Sequence, residues 1–140
     1  MNEIINKNNN LKPKKTESIV EQKIEIKEEI PLEILESLKE IPKQTGGLVV
    51  LKGPNVGEKI FISKESFKIG READSDIFLD DITVSRRHAQ IKKTDVTYRI
   101  IDLGSLNGIY VNGKPVENKI LENGDKIQIG KYVFYYFYFE

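Results

Sequence analysis

The chain has 140 residues, with 22 basic against 22 acidic side chains, one His and no Cys. That length suits one domain of ordinary size, and the absent net charge argues against affinity for nucleic acid or a bilayer surface. Without Cys there are no disulfides or thiolate metal sites, and a lone His does not make a transition-metal site, so neither metal nor cofactor is expected.

The opening MNEIINKNNN lacks the apolar core of a signal peptide, and no run approaches 18 apolar residues. A cytoplasmic protein is the expectation. Composition then divides the chain. All six Phe, all six Tyr and all ten Gly follow residue 45. A segment without aromatics buries too little area to offset an ordering entropy of roughly 1–2 kcal/mol per residue. Residues 1–45 are therefore expected to be a mostly disordered regulatory tail, and 46–140 the folded domain. Within the tail, residues 1–16 hold four Lys and one Glu, whereas 17–40 hold eight Glu and three Lys. A short helix over 31–41 is suggested by Ile34, Leu38 and Ile41 at helical spacing, with Pro31 tolerated in a first turn and Pro42 as a stop. At about three turns it is marginal alone and needs the domain or a partner to pack on.

After Gly46-Gly47 the hydrophobic period falls to two. Leu48–Leu51, Lys59–Ile62, Ser66–Ile69 and Ile77–Leu79 read as short strands, with a turn at Gly53-Pro54-Asn55. Ala89–Ile91 and Tyr98–Ile101 follow, separated by a polar hairpin at Lys93–Asp95. Ile109–Val111 runs into Asn112-Gly113, a tight-turn dipeptide. Glu122–Asp125 is a further turn before Lys126–Ile129, and Tyr132–Tyr138 is a long aromatic strand expected to supply core and cover an edge. Short strands at such intervals predict an all-β sandwich, whose loops gather at its ends and can bring distant residues to one ligand.

Three loop positions carry chemistry. Arg71, after Gly70 where a strand runs out, offers a planar guanidinium suited to a dianionic phosphate. Ser85 adds a hydroxyl and Arg86 a second cation. Asn107, before Gly108, offers an amide able to hold a peptide backbone. Each has a plainer reading. Arg71 is able to pair with Glu72, Asp74 or Asp76, Ser85 to cap a turn, and Arg86 and Arg87 to lie in solvent. No nucleophile–base pair, paired carboxylate or phosphate-binding Gly-rich loop is present, so the pattern is one of binding and not of an enzyme.

Gly70-Arg71, Ser85-Arg86-Arg87-His88 and Asn107-Gly108, in that order within FKIGREADSDIFLDDITVSRRHAQI and IIDLGSLNGIYVNG, resemble the forkhead-associated (FHA) domain. The resemblance covers roughly residues 47–138 and implies an FHA-type β-sandwich that captures phosphothreonine peptides. It implies phosphate contacts from Arg71, Ser85 and Arg86, a peptide-backbone clamp at Asn107, and binding-loop support from Gly70, His88 and Gly108. Leu106 stands where many members have Thr, and Thr83 where some carry an Arg that selects an acidic ligand residue. Ligand preference is therefore open.

With its tail, the chain is similar to small actinobacterial FHA regulators of 2-oxoglutarate metabolism, which carry a phosphorylatable Thr-Thr-Ser-Val-Phe segment. Here the tail reads Thr16-Glu17-Ser18-Ile19-Val20. The resemblance implies partners in a Ser/Thr protein kinase, the 2-oxoglutarate dehydrogenase complex and glutamate dehydrogenase. It also implies that phosphorylated Thr16 closes the tail onto its own domain. A flexible arm of that length spans roughly 30 Å, and tethering gives about millimolar effective concentration. A generic phosphothreonine adaptor and a phosphate-independent assembly module stay open as alternatives.

Overall fold

The computed structural model describes residues 30–95 and 97–139. Thr16 and the tail segment before residue 30 lie outside the described residues. The chain divides between Lys39 and Glu40 into two units. In the first, α1 (Leu32–Ser37) begins with the Ile34 and Leu35 amides both donating to the Pro31 carbonyl, at 3.0 and 3.2 Å. The Ser37 hydroxyl donates back to the Ile34 carbonyl at 2.7 Å, and a single 3-10 turn, Leu38–Glu40, ends the element.

The second unit is a two-sheet sandwich of eleven strands. They are β1 (Thr45–Lys52), β2 (Lys59–Ile62), β3 (Ser66–Gly70), β4 (Ile77–Phe78), β5 (Ala89–Lys93), β6 (Tyr98–Asp102), β7 (Ile109–Val111), β8 (Lys114–Val116), β9 (Asn118–Ile120), β10 (Lys126–Ile129) and β11 (Tyr132–Phe139). One sheet has the order β2-β1-β11-β10-β7-β8 and the other β4-β3-β5-β6-β9. Only the short β3–β4 pair is parallel; the other ladders are antiparallel.

Alternation decides which side chains meet between the sheets. Ile109, Val111, Ile127, Ile129, Phe134 and Tyr136 from the larger sheet face Phe67, Ile69, Ala89, Ile91, Tyr98 and Ile100 from the smaller. Each such Ile, fully buried, contributes about 1.5–3 kcal/mol. The same period points Lys68 and Gln90, register partners on β3 and β5, off the outer face of the smaller sheet. Tyr110 and Gln128, partners on β7 and β10, point off the outer face of the larger one.

Two strands escape the sequence pattern. β8 and β9 are three-residue edge strands, one with Pro115 and the other with Ile120 half-exposed, so neither shows an apolar alternation. Pro is tolerated there because an edge strand has amides that need no ladder partner. The reading of Tyr132–Tyr138 as edge cover is corrected: β11 lies between β1 and β10, inside the larger sheet. Tyr136 and Phe137 point to opposite faces of the sheet, and both are fully buried.

Candidate functional site

At one end of the sandwich three segments meet: the end of β3, the loop from Leu79 to His88, and the loop from Leu103 to Gly108. Gly70 is the hinge of their approach. A Cβ on it would overlap the carbonyl oxygen of Arg86, so only glycine lets the two backbones come this close. The contact is then used. The Arg71 amide donates to the carbonyls of Ser85 and Arg86, both at 3.1 Å, and the Glu72 amide to that of Arg86 at 3.2 Å.

Arg71 itself is exposed at the tip. Its Nε donates to the Val84 carbonyl at 2.9 Å, which fixes the plane of the guanidinium. Its two terminal nitrogens have no partner among the described residues, and none of the neighbouring carboxylates pairs with it. Asp76 is engaged by Lys64 at 2.7 Å, which, with the Lys68 amide, holds its carboxyl below the usual range. Glu72 pairs loosely with Arg87 at 3.6 Å.

His88 is the pin of the site. It is fully buried, its Nδ1 accepts from the Ser85 amide at 3.0 Å, and its Nε2 lies 2.8 Å from the Gly108 carbonyl. An acceptor at Nδ1 and a donor at Nε2 define the neutral imidazole. The ring thus ties the second loop to the third. The Ser85 hydroxyl completes the tie by accepting from the Leu106 amide at 3.0 Å, leaving its own proton for an incoming oxygen. Gly108 sits at φ +78°, a left-handed conformation, with its amide donating to the Ser105 hydroxyl at 2.9 Å. Asn107 is exposed; its Nδ2 donates to the Thr83 carbonyl at 3.0 Å, while Oδ1 has no partner among the described residues.

The structure therefore brings Gly70, Arg71, Ser85, Arg86, His88, Asn107 and Gly108 to one end of the fold. Together they present a fixed guanidinium, a hydroxyl and an amide side by side. Such a set is able to hold a tetrahedral dianion and an adjoining peptide backbone.

Sequence reasoning missed a second brace. Asp81 accepts from the Thr83 amide at 2.8 Å and from the Thr83 hydroxyl, and pairs with Lys131 Nζ at 2.8 Å. The Lys131 hydrogen bond, then those from Thr83, bring the Asp81 carboxyl down to about 2. Reciprocally, Asp81 raises the Lys131 ammonium. The Lys131 amide also donates to the Thr83 hydroxyl at 2.9 Å, and a Cβ on Gly130 would collide with that hydroxyl. Asp-x-Thr is a local Asx-turn signal that could have been read; its link to Lys131 joins residues 50 positions apart and could not. Beside this brace lies a cleft of about 330 Å³, lined by Thr83, Asn107, Tyr110, Gln128 and Lys131 among others.

Comparison with known proteins bears on the fold and the family. The chain is 50% identical over 92 residues to the oxoglutarate dehydrogenase inhibitor of Corynebacterium jeikeium, covering 66% of this chain and 64% of that protein. It is 48% identical over 92 residues to the glycogen accumulation regulator GarA of Mycobacterium tuberculosis, covering 57% of that protein. The chain thus spans less than two thirds of the length of either relative. A solved structure from work on phosphothreonine-dependent FHA domain interactions superposes with a TM-score of 0.63 at 31% identity, covering 69% of this chain and 98% of that one. Among the described residues no helix is long and apolar enough to cross a membrane. Residues 67–130 match the family model of the FHA domain, and with loops, sandwich and relatives in agreement, this chain belongs to the FHA domain family.

Proposed function

We propose that this protein is a phosphothreonine-peptide-binding regulator of central metabolism. Arg71, Ser85 and Arg86 hold the phosphate, and Asn107 holds the peptide backbone beside it. Gly70, His88 and Gly108 keep the loops in register. The carrying observation is the Arg71 guanidinium, fixed at Nε by Val84 and open at both terminal nitrogens beside the Ser85 hydroxyl. A phosphothreonine brings about −1.5 to −2 of charge and three acceptor oxygens to that fork.

A relative named as an oxoglutarate dehydrogenase inhibitor supports the 2-oxoglutarate dehydrogenase complex as a target, and the resemblance to the actinobacterial regulators extends this reading to glutamate dehydrogenase and a cytoplasmic setting. A Ser/Thr protein kinase acting on Thr16 turns the tail into a competing ligand and so releases the target. The test is calorimetric titration of the domain, residues 46–140, with a Thr16-centred peptide, phosphorylated and plain, with Arg71→Ala as control. Binding that needs the phosphate and disappears in the variant is expected. Equal binding of both peptides would overturn the phosphate reading. If only unrelated phosphothreonine peptides bind, the tail switch falls and a generic adaptor replaces it. Inhibition of the dehydrogenase complex by the unphosphorylated protein is expected to fall with Arg71→Ala or Asn107→Ala; unchanged inhibition would move the contact to another surface.

A further inference from the structure

Three hydrogen bonds converge on Thr83, and its carbonyl carries a fourth from the peptide clamp. The Thr83 amide donates to one Asp81 carboxylate oxygen at 2.8 Å, and the Thr83 hydroxyl donates to the same oxygen. That hydroxyl also accepts from the Lys131 amide at 2.9 Å, on the turn between β10 and β11. Lys131 Nζ closes the circuit on the other Asp81 oxygen at 2.8 Å. Gly130, on the same turn, lies so close that an added Cβ would meet the Thr83 hydroxyl and carbonyl. Thr83 is thus gripped at its amide and side chain, by its own loop and by a turn of the other sheet. Its carbonyl oxygen accepts from Asn107 Nδ2 at 3.0 Å.

We propose that Thr83 is a positioning residue for the clamp: held by Asp81 and Lys131, its carbonyl decides which way the Asn107 amide faces. The inference rests on the phosphothreonine reading given above, because it concerns how Asn107 meets the peptide. A carbonyl oxygen accepts and never donates, so only the NH2 side of the Asn107 amide is able to face Thr83. The amide oxygen is thereby turned away, and it has no partner among the described residues. One hydrogen of the NH2 group stays unused. The exposed edge of Asn107 therefore offers one acceptor and one donor, which match the N–H and C=O of a peptide backbone. Without a fixed carbonyl behind it, the terminal torsion of an Asn is nearly two-fold and the amide is free to turn over. Half of the turned population would then present like to like. The hydroxyl of Thr83 is what holds the carbonyl still, since it both donates to Asp81 and accepts from Lys131. Valine has nearly the same shape and makes neither bond.

The experiment is a double-mutant cycle on the full chain, read by calorimetry with a phosphothreonine peptide. Thr83→Val is expected to weaken binding about three- to tenfold, the usual worth of a side-chain hydrogen bond. In an Asn107→Ala background the same change is expected to cost nothing further, because Thr83 acts through that amide. Thr83→Ser keeps the hydroxyl and is expected to bind within about twofold of the wild type, well short of one hydrogen bond. In NMR spectra the side-chain amide signals of Asn107 are expected to move in Thr83→Val and to stay in place in Thr83→Ser. Should the valine variant not fold, Asp81→Asn loosens the same grip more mildly, and its smaller loss is likewise expected to vanish without Asn107. Equal losses with Asn107 present and absent would make Thr83 mere loop scaffold and overturn the proposal. Unchanged binding by Thr83→Val would overturn it as well. A wild type that does not bind the phosphopeptide overturns the phosphothreonine reading, and the positioning role with it.

Discussion

Ser85 and Gly108 stand on different loops, and one imidazole joins them: His88 accepts from the Ser85 amide and donates to the Gly108 carbonyl. Removing the ring leaves a half-buried donor and a half-buried acceptor without partners, each costing up to about 1–3 kcal/mol. His88→Ala is therefore expected to lower stability by roughly 2–4 kcal/mol. It is also expected to abolish measurable phosphopeptide binding in the fraction that stays folded. Urea unfolding and calorimetry on the same sample check both; a destabilised domain that binds as well as wild type would sink the pin role.

Gly70 supports the neighbouring contact by having no side chain. In Gly70→Ala the added carbon meets the Arg86 carbonyl oxygen, so the two loops must part. Overpacking of this kind costs typically about 1–3 kcal/mol. Thermal unfolding is expected to shift downward, and peptide affinity to fall with it. A variant of unchanged stability would show that the loops can yield.

Charge alone does not make Arg71 suitable. Its Nε is occupied by Val84, which aims the remaining fork, and a lysine has neither fork nor anchor. Arg71→Lys is expected to weaken phosphopeptide binding about tenfold or more, as loss of a charge-assisted hydrogen bond would. Stability in urea should hardly change. Affinity equal to wild type would mean that the site needs only a point charge.

The Asp81 brace has a pH signature. Its carboxyl titrates at about 2 in the folded protein, below the roughly 3.9 of an unfolded chain. Between those values the unfolded chain binds more protons, so stability there rises with pH. The contribution is fully present above about pH 4 and is lost as pH falls through about 2. Asp81→Asn is expected to show a flatter stability profile in that window, measured by acid titration at fixed urea. Parallel profiles would remove Asp81 from the account.

At the opposite end of β7, Asn112 sits at φ +54°, its Nδ2 donating to the buried Asp125 at 2.9 Å and its Oδ1 accepting from the Lys126 amide at 3.0 Å. Asn112→Gly keeps the backbone geometry and loses only those two bonds. Asn112→Ala loses both and strains the turn as well. Alanine is expected to destabilise by about 1–3 kcal/mol and glycine by less. Phosphopeptide affinity should be unchanged in both, because the site lies at the other end of the strand.

Much of the fold was readable because sandwich strands expose one face and bury the other. Phe67, Ile69, Ala89 and Ile91 announce themselves by alternation, and Asn112-Gly113 by its need for positive φ. β8 and β9 were silent because edge strands bury too little to leave a pattern. Arg71, Ser85 and Asn107 were readable as a spaced trio, and the structure gathers them at one end. The Asp81–Lys131 link was not readable, since it depends on the β10–β11 turn folding back onto a loop from the other sheet.

The placement of β11 has a consequence for how the domain is made. Its register joins Thr45 to Phe139, so the first and last strands of the sandwich are neighbours in the middle of the larger sheet. Local hairpins cannot close that sheet, and long-range pairing must absorb the loop entropy before it gains contacts. During synthesis, a nascent chain halted before Tyr132 leaves β1 and β10 with unpaired edges, open to any passing strand. Closure of the larger sheet thus waits for the aromatic strand to dock.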